Sequence, residues 1–110
     1  MQKRLVSIVV NCFNGEKYLQ KTLNSILNQK FKNFEVIFVD NCSTDSSSRI
    51  FKKIKDRRFY YYKTTKKLSL YASRNLALKK AKGKFIAFLD SDDWWNSNYL
   101  SLRKKFFKSS

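Results

Sequence analysis

FEVIFVDNCSTDSS, residues 34–47, runs from an almost unbroken apolar segment, Phe34 to Val39, into Asp40, Asn41 and a series of hydroxyl residues. A run that is apolar at successive positions leaves no face for solvent, so it reads as a strand covered on both sides, the pattern of a parallel sheet. Its polar end then marks the carboxyl edge of that sheet, where Ser43, Thr44 and Asp45 offer caps for a helix over roughly residues 46–55, with Ile50, Phe51 and Ile54 inward. Upstream, Leu5 to Val10 is a second short β-branched run, closed by a turn at Asn14 and Gly15. Between the two runs, Tyr18, Thr22 and Ile26 lie beside Leu19, Leu23 and Leu27, two rows with a spacing of four that form one face of a helix over 16–29. Downstream, Phe59 to Tyr62 reads as a strand, Lys63 to Lys67 as a polar connection and Leu70 to Lys82 as a helix whose Ala72, Ala77 and Ala81 permit close packing. Gly83 stands where a left-handed helix C-terminal residue is expected, Lys84 to Leu89 reads as the fourth strand, and Asn96 or Ser97 can cap a last helix through Phe107 whose basic end is expected to fray. Strands alternating with helices predict a doubly wound α/β fold, mainly parallel, with helices on both faces. Ligands of such sheets sit beyond the carboxyl ends of the strands, and that edge carries residues 11–14, 40–45 and 90–93.

The 110 residues suffice for one domain with one core. No apolar run approaches the ~20 residues that span a bilayer and residues 1–4 lead straight into a strand, so the expected location is cytoplasmic. Lys and Arg number 24 against 8 acids, a formal charge of +16, which favours anionic partners without choosing among phosphates, lipid head groups and nucleic acid. The chain contains no histidine, which excludes His-based triads and Cys/His zinc sites, and Cys12 and Cys42 are expected to be free thiols.

Asp90, Asp92 and Asp93 crowd one tight turn directly after the fourth strand, an arrangement that calls for a cation. An all-oxygen site suits Mg²⁺ or Mn²⁺, ions that share ligands with substrate phosphates. With Gly15 and Gly83 as the only glycines, neither a Walker loop nor a dinucleotide fingerprint exists, so a metal would have to carry the phosphate. Asp40 and Asn41 can accept from a base imide, Phe13 offers a ring beside a base, and Arg74, in a helix against the sheet, is a candidate for pyrophosphate or for Asp90.

VSIVVNCFNGEKYL (6–19), FEVIFVDNCSTDSS (34–47) and ASRNLALKKAKGKFIAFLDSDDWW (72–95) together resemble, in order, the N-terminal blocks of family 2 glycosyltransferases of the GT-A fold, over roughly residues 5–100. The resemblance implies a Rossmann-like nucleotide-sugar-binding half. It implies base or ribose contacts for Asn11, Phe13, Glu16, Asp40 and Asn41, a diphosphate-side role for Arg74, and metal or ribose contacts for Asp90 and Asp92. Asn11 stands where the family often has Pro, and Asn41 where it often has a second Asp. A hexosyltransferase of this kind lets an acceptor hydroxyl attack the anomeric carbon while Mn²⁺ or Mg²⁺ stabilises the departing diphosphate. The acceptor, a saccharide or a lipid-linked saccharide of cell-surface polysaccharide synthesis, needs a general base, yet no carboxylate follows Asp93. The expectation is therefore one domain over 1–110 that binds donor and is truncated before its acceptor half, with an open apolar face prone to self-association. Trp94, Trp95 and the basic stretch 103–108 would suit peripheral contact with an anionic inner membrane face, although ordinary helix packing accounts for them as well.

Two other readings compete. A receiver-like signalling domain also gathers acids around Mg²⁺, but it wants them straight after the first strand, where this chain has Asn11, Cys12 and Phe13. A non-enzymatic basic module binding nucleotide or nucleic acid would use Phe59 to Lys63 as an aromatic platform, a run that reads better as a strand, so no nucleic-acid partner is expected.

Overall fold

The computed structural model describes residues 4–107, with side chains through Lys104. The elements alternate as β1 (Val6–Cys12), α1 (Glu16–Leu27), β2 (Phe34–Asp40), α2 (Ser47–Lys52), β3 (Phe59–Lys63), α3 (Leu70–Lys80), β4 (Phe85–Phe88) and α4 (Tyr99–Phe107). The four strands form one parallel sheet in the order β3-β2-β1-β4, so the expected doubly wound α/β architecture is present. The chain steps outward from β1 to β3 and then returns to lay β4 on the other side of β1, which puts the switch in strand order between β1 and β4.

Side-chain alternation divides the sheet between two layers. Val6, Ile8, Val10 and Cys12 of β1 join Phe34, Val36 and Phe38 of β2 in the main core with Leu19, Leu23 and Ile26 of α1, Phe51 of α2 and Leu100 of α4. The intervening Val9, Ile37 and Val39 pack on the opposite face against Ala77 of α3. All seven residues of β2 are buried, Glu35 and Asp40 included, as its almost unbroken apolar run requires. The edge strands β3 and β4 are covered less, and Ile86 and Phe88 of β4 remain 39% and 45% exposed.

One local expectation is corrected. Gly83 is not in the left-handed region; α3 stops at Lys80 because Ala81 turns extended, at φ −70° and ψ 135°. Gly83 is instead needed for close approach, since a Cβ there would lie 2.6 Å from the backbone nitrogen of Ser7. In the turn before α1 it is Asn14, at φ 51°, that takes the left-handed conformation, one that asparagine tolerates better than most residues. Cys12 and Cys42 are free thiols. No described helix is long and apolar enough to cross a membrane, and the basic stretch beyond Lys104 lies outside the described side chains.

Candidate donor site at the carboxyl edge of the sheet

The loops after β1 and β2 are tied together before either contributes to a site. Asn14 Oδ1 accepts from the backbone N–H of Thr44 at 2.7 Å, and the Asn14 N–H donates to Ser43 Oγ at 2.9 Å. Neither α1 nor α2 is capped by its own N-cap side chain. The two N-termini are bonded to each other: the Glu16 N–H donates to Asp45 Oδ2 at 3.1 Å, and the Ser46 N–H donates to Glu16 Oε1 at 3.3 Å. Asp45 also accepts from the Ser47 N–H at 2.9 Å. Burial alone would raise the Asp45 pKa, but the hydrogen bonds from Ser47 and from the Glu16 backbone outweigh it and hold the carboxyl below its ordinary value. Glu16, expected beside a ribose, thus bonds to the N-terminus of a neighbouring helix.

Asp40 and Asn41 diverge although adjacent. Asp40, an even-numbered residue of β2, points into the α1/α2 layer, where Oδ1 accepts from the Ser43 N–H at 3.0 Å and Oδ2 from the Tyr61 hydroxyl at 2.5 Å. Burial, followed by this bond to a carboxylate, pushes the Tyr61 pKa well above its ordinary value. Asn41 is also buried, and its amide closes a two-way pair with the backbone of Leu68: Oδ1 accepts from the Leu68 N–H and Nδ2 donates to the Leu68 carbonyl, both at 2.8 Å. A short polar connection is thereby held against the end of β2.

That connection encloses a cavity of about 240 Å³ lined by Asn11, Phe13, Asn41, Lys67, Leu68 and Ser73, with Cys12 and Leu70. Asn11 Oδ1 accepts from the Ser73 hydroxyl of α3 at 2.6 Å, fixing the end of β1 to the helix. Phe13, 45% exposed, stands at the rim. Ser73 went unrecognised in the sequence because a serine beside the Arg-Asn pair carries no periodic signal; Lys67 was read only as part of a polar connection. A second, larger opening of about 530 Å³ lies between Cys42–Thr44 and Lys63–Thr65 and shares none of these residues.

Next in sequence to Ser73, Arg74 holds its guanidinium 5.1 Å from the Phe88 ring centroid, with Nη2 3.9 Å from Asp90 Oδ1. Both side chains are substantially exposed, so this is a weak pair. Its Nε is buried and has no acceptor among the described residues, leaving the guanidinium with donors to spare. The acidic turn itself is closed by the Asp93 N–H donating to the Asp90 carbonyl at 3.0 Å. It is pinned from α1, where the Thr22 hydroxyl lies 2.9 Å from the Ser91 carbonyl and 2.6 Å from that of Asp93. Thr22 was counted in the sequence as a member of an apolar row; a hydroxyl buried in such a row must find a partner, and that is the signal that would have found it. Further along, Gln29 donates to the Asn96 carbonyl and accepts from the Leu100 N–H, docking the start of α4.

Among the described residues no three acidic or sulfur side chains converge as a ready-made metal cage. Asp90, Asp92 and Asp93 are all exposed on the turn. Two exposed carboxylates on a pinned backbone fit Mg²⁺ or Mn²⁺ held jointly with water and the oxygens of a bound diphosphate, the usual mode for these ions.

A sequence profile described as Glycosyl transferase family 2 matches residues 7–109. The chain belongs to that family. It is 41% identical over 105 residues to UDP-Glc:alpha-D-GlcNAc-diphosphoundecaprenol beta-1,3-glucosyltransferase WfaP of Escherichia coli, which covers 96% of this chain and 42% of WfaP. It is 35% identical to the putative teichuronic acid biosynthesis glycosyltransferase TuaG of Bacillus subtilis, over 94% of this chain and 42% of TuaG. Among solved structures, S. aureus TarS 1–349 in complex with UDP-GlcNAc superimposes with a TM-score of 0.87 at 34% identity, covering 94% of this chain and 31% of that one. The fold is therefore that of GT-A glycosyltransferases, and the chain spans about two fifths of the length of WfaP and of TuaG. Both relatives are glycosyltransferases by name, which supports sugar transfer as the family's chemistry.

Proposed function

We propose that this chain is the donor-binding part of a family 2 hexosyltransferase of cell-surface polysaccharide synthesis, using a nucleotide-diphosphate sugar and a saccharide or lipid-linked acceptor. The observation that carries the proposal is the convergence of three features on one sheet edge, beside the β1/β4 switch: the cavity at Asn11 and Phe13, the under-bonded Arg74, and the pinned Asp90–Asp93 turn. The base lies in the cavity against Phe13, with Asn11 at its wall and Asn41 holding the opposite wall in place. Arg74 faces the diphosphate, and Asp90 and Asp92 hold Mn²⁺ or Mg²⁺. The cation, when bound, offsets the charge that builds on the departing diphosphate. Asp40 and Glu16 act on the donor through the loops they fix rather than by touching it. The UDP-GlcNAc complex of TarS supports a uridine nucleotide as the first donor to try.

Calorimetric titration of uridine diphosphate with and without Mn²⁺ tests this reading. Tighter binding with Mn²⁺ is expected, with the increment diminished in Asp92→Asn; equal affinity in EDTA and in Mn²⁺ would remove the metal from the proposal. The 110 residues alone are expected to bind donor without turning it over, because no carboxylate follows Asp93 to serve as base. Multiple-turnover transfer that survives in the wild type and is abolished by Asp93→Asn would put the base within this segment. The proposed setting is the cytoplasmic side of the membrane, where a basic protein can meet a lipid-linked acceptor peripherally.

A further inference from the structure

Lys67 is the one charged residue lining the cavity, and the donor reading gives it no task. Its Nζ lies 3.5 Å from the centroid of the Phe13 ring, so the ammonium covers a ring face at the mouth of the cavity. Among the described residues it makes no ion pair. Its backbone is nonetheless well placed, because the next residue, Leu68, has both its N–H and its carbonyl bonded to the buried Asn41. A fixed root with a flexible four-carbon stem and a compact charge is the arrangement of a side chain that can trade one partner for another.

The ring face that Lys67 occupies is the face a planar base would stack on. An exposed cation–π contact is weak, and base–aromatic stacking competes well with it. A base entering the cavity would therefore displace the ammonium beside a ligand that carries the negative charge of two phosphates. We infer that Lys67 is a donor-sensing cation: it rests on Phe13 in the free chain, yields that ring face to the base, and pairs with the diphosphate of the bound nucleotide. It thereby separates nucleoside diphosphates from nucleosides, which offer the base without the charge. The inference rests on the donor reading above.

The test compares uridine and uridine diphosphate by calorimetry on the wild type, Lys67→Met and Lys67→Arg, with Mn²⁺ throughout. Lys67→Met keeps the stem and removes the charge at an exposed position, and an unchanged melting temperature checks that it folds. The expected result is a loss of roughly tenfold or more for uridine diphosphate, the size of one hydrogen bond to a charged group. Uridine affinity should be unchanged or slightly raised, the salt dependence of diphosphate binding should be shallower, and Lys67→Arg should stay close to wild type. Equal losses for both ligands would make Lys67 a passive wall, and no loss for either would remove it from the site; both overturn the inference while leaving the donor reading intact. A wild type that binds neither ligand overturns the two together.

Discussion

The amide of Asn41 does what a carboxylate in its place cannot. It accepts from the Leu68 N–H and donates to the Leu68 carbonyl, whereas an aspartate, the residue common at this position in the family, would face that carbonyl with a second acceptor. Asn41→Asp should therefore cost about 1–3 kcal/mol, the range for a buried polar group left unsatisfied. Urea denaturation at neutral pH reads this as a lower midpoint, and an unchanged midpoint would mean that the Leu68 connection contributes nothing to stability. The same residue shows what was legible. The sequence marked Asn41, Asp40 and Asn11 as polar groups, and Phe13 as a ring, at the strand ends, and the structure places all of them there. Which way each side chain turns was not legible. Asp40 and Asn41 are neighbours in sequence, but one ends a strand pointing into the α1/α2 layer and the other bonds to a loop 27 residues away. Partners at that separation are set by the assembled sheet, not by local pattern.

At the level of elements, α1 is the organiser of the acidic turn. Its apolar face was plain from the spacing of four, and so was the helix, but the hydroxyl of Thr22 interrupts that face and, with the amide of Gln29 just past the helix end, holds residues 91–100. Thr22→Val keeps shape and removes the hydroxyl, so the fold should survive while the Asp turn loosens. The expected signature is a smaller Mn²⁺-dependent gain in nucleotide affinity with little change in metal-free affinity, which a purely structural defect would lower in parallel. The bonds between the N-termini of α1 and α2 predict an acid sensitivity as well. Because the Asp45 carboxyl is held below its ordinary value of about 3.8, its contribution is present above that value and is lost as pH falls through the lower folded one. Asp45→Ala should cost about 0.5–2 kcal/mol near neutrality, as for a lost helix cap. The gap between wild type and variant should close below about pH 4, read as converging urea midpoints. A gap that stays constant into acid would show that the cap does not depend on charge.

Across the whole molecule, charge and shape oppose each other. The outer edge of β4 has no partner strand among the described residues, and its sequence, Phe85-Ile86-Ala87-Phe88, carries no charge to protect that edge. Beside it, Ile86, Phe88 and Leu78 of α3 are exposed. The formal charge of +16 resists association of copies through this face, and salt screens that resistance. Apparent mass by light scattering should therefore rise with ionic strength, and Ile86→Lys should suppress the rise; a monomer at every salt concentration would remove the expectation. The bond between Asn41 and Leu68 has a different kind of consequence. Residues 65–69 are mostly exposed and look like a segment whose amide protons solvent would take quickly. The Leu68 N–H is held by a buried side chain, so its proton can be lost only when the end of β2 opens. In deuterated water that single amide should stay protonated long after its neighbours have exchanged, a slow spot inside a fast loop that reports on the opening of the donor cavity.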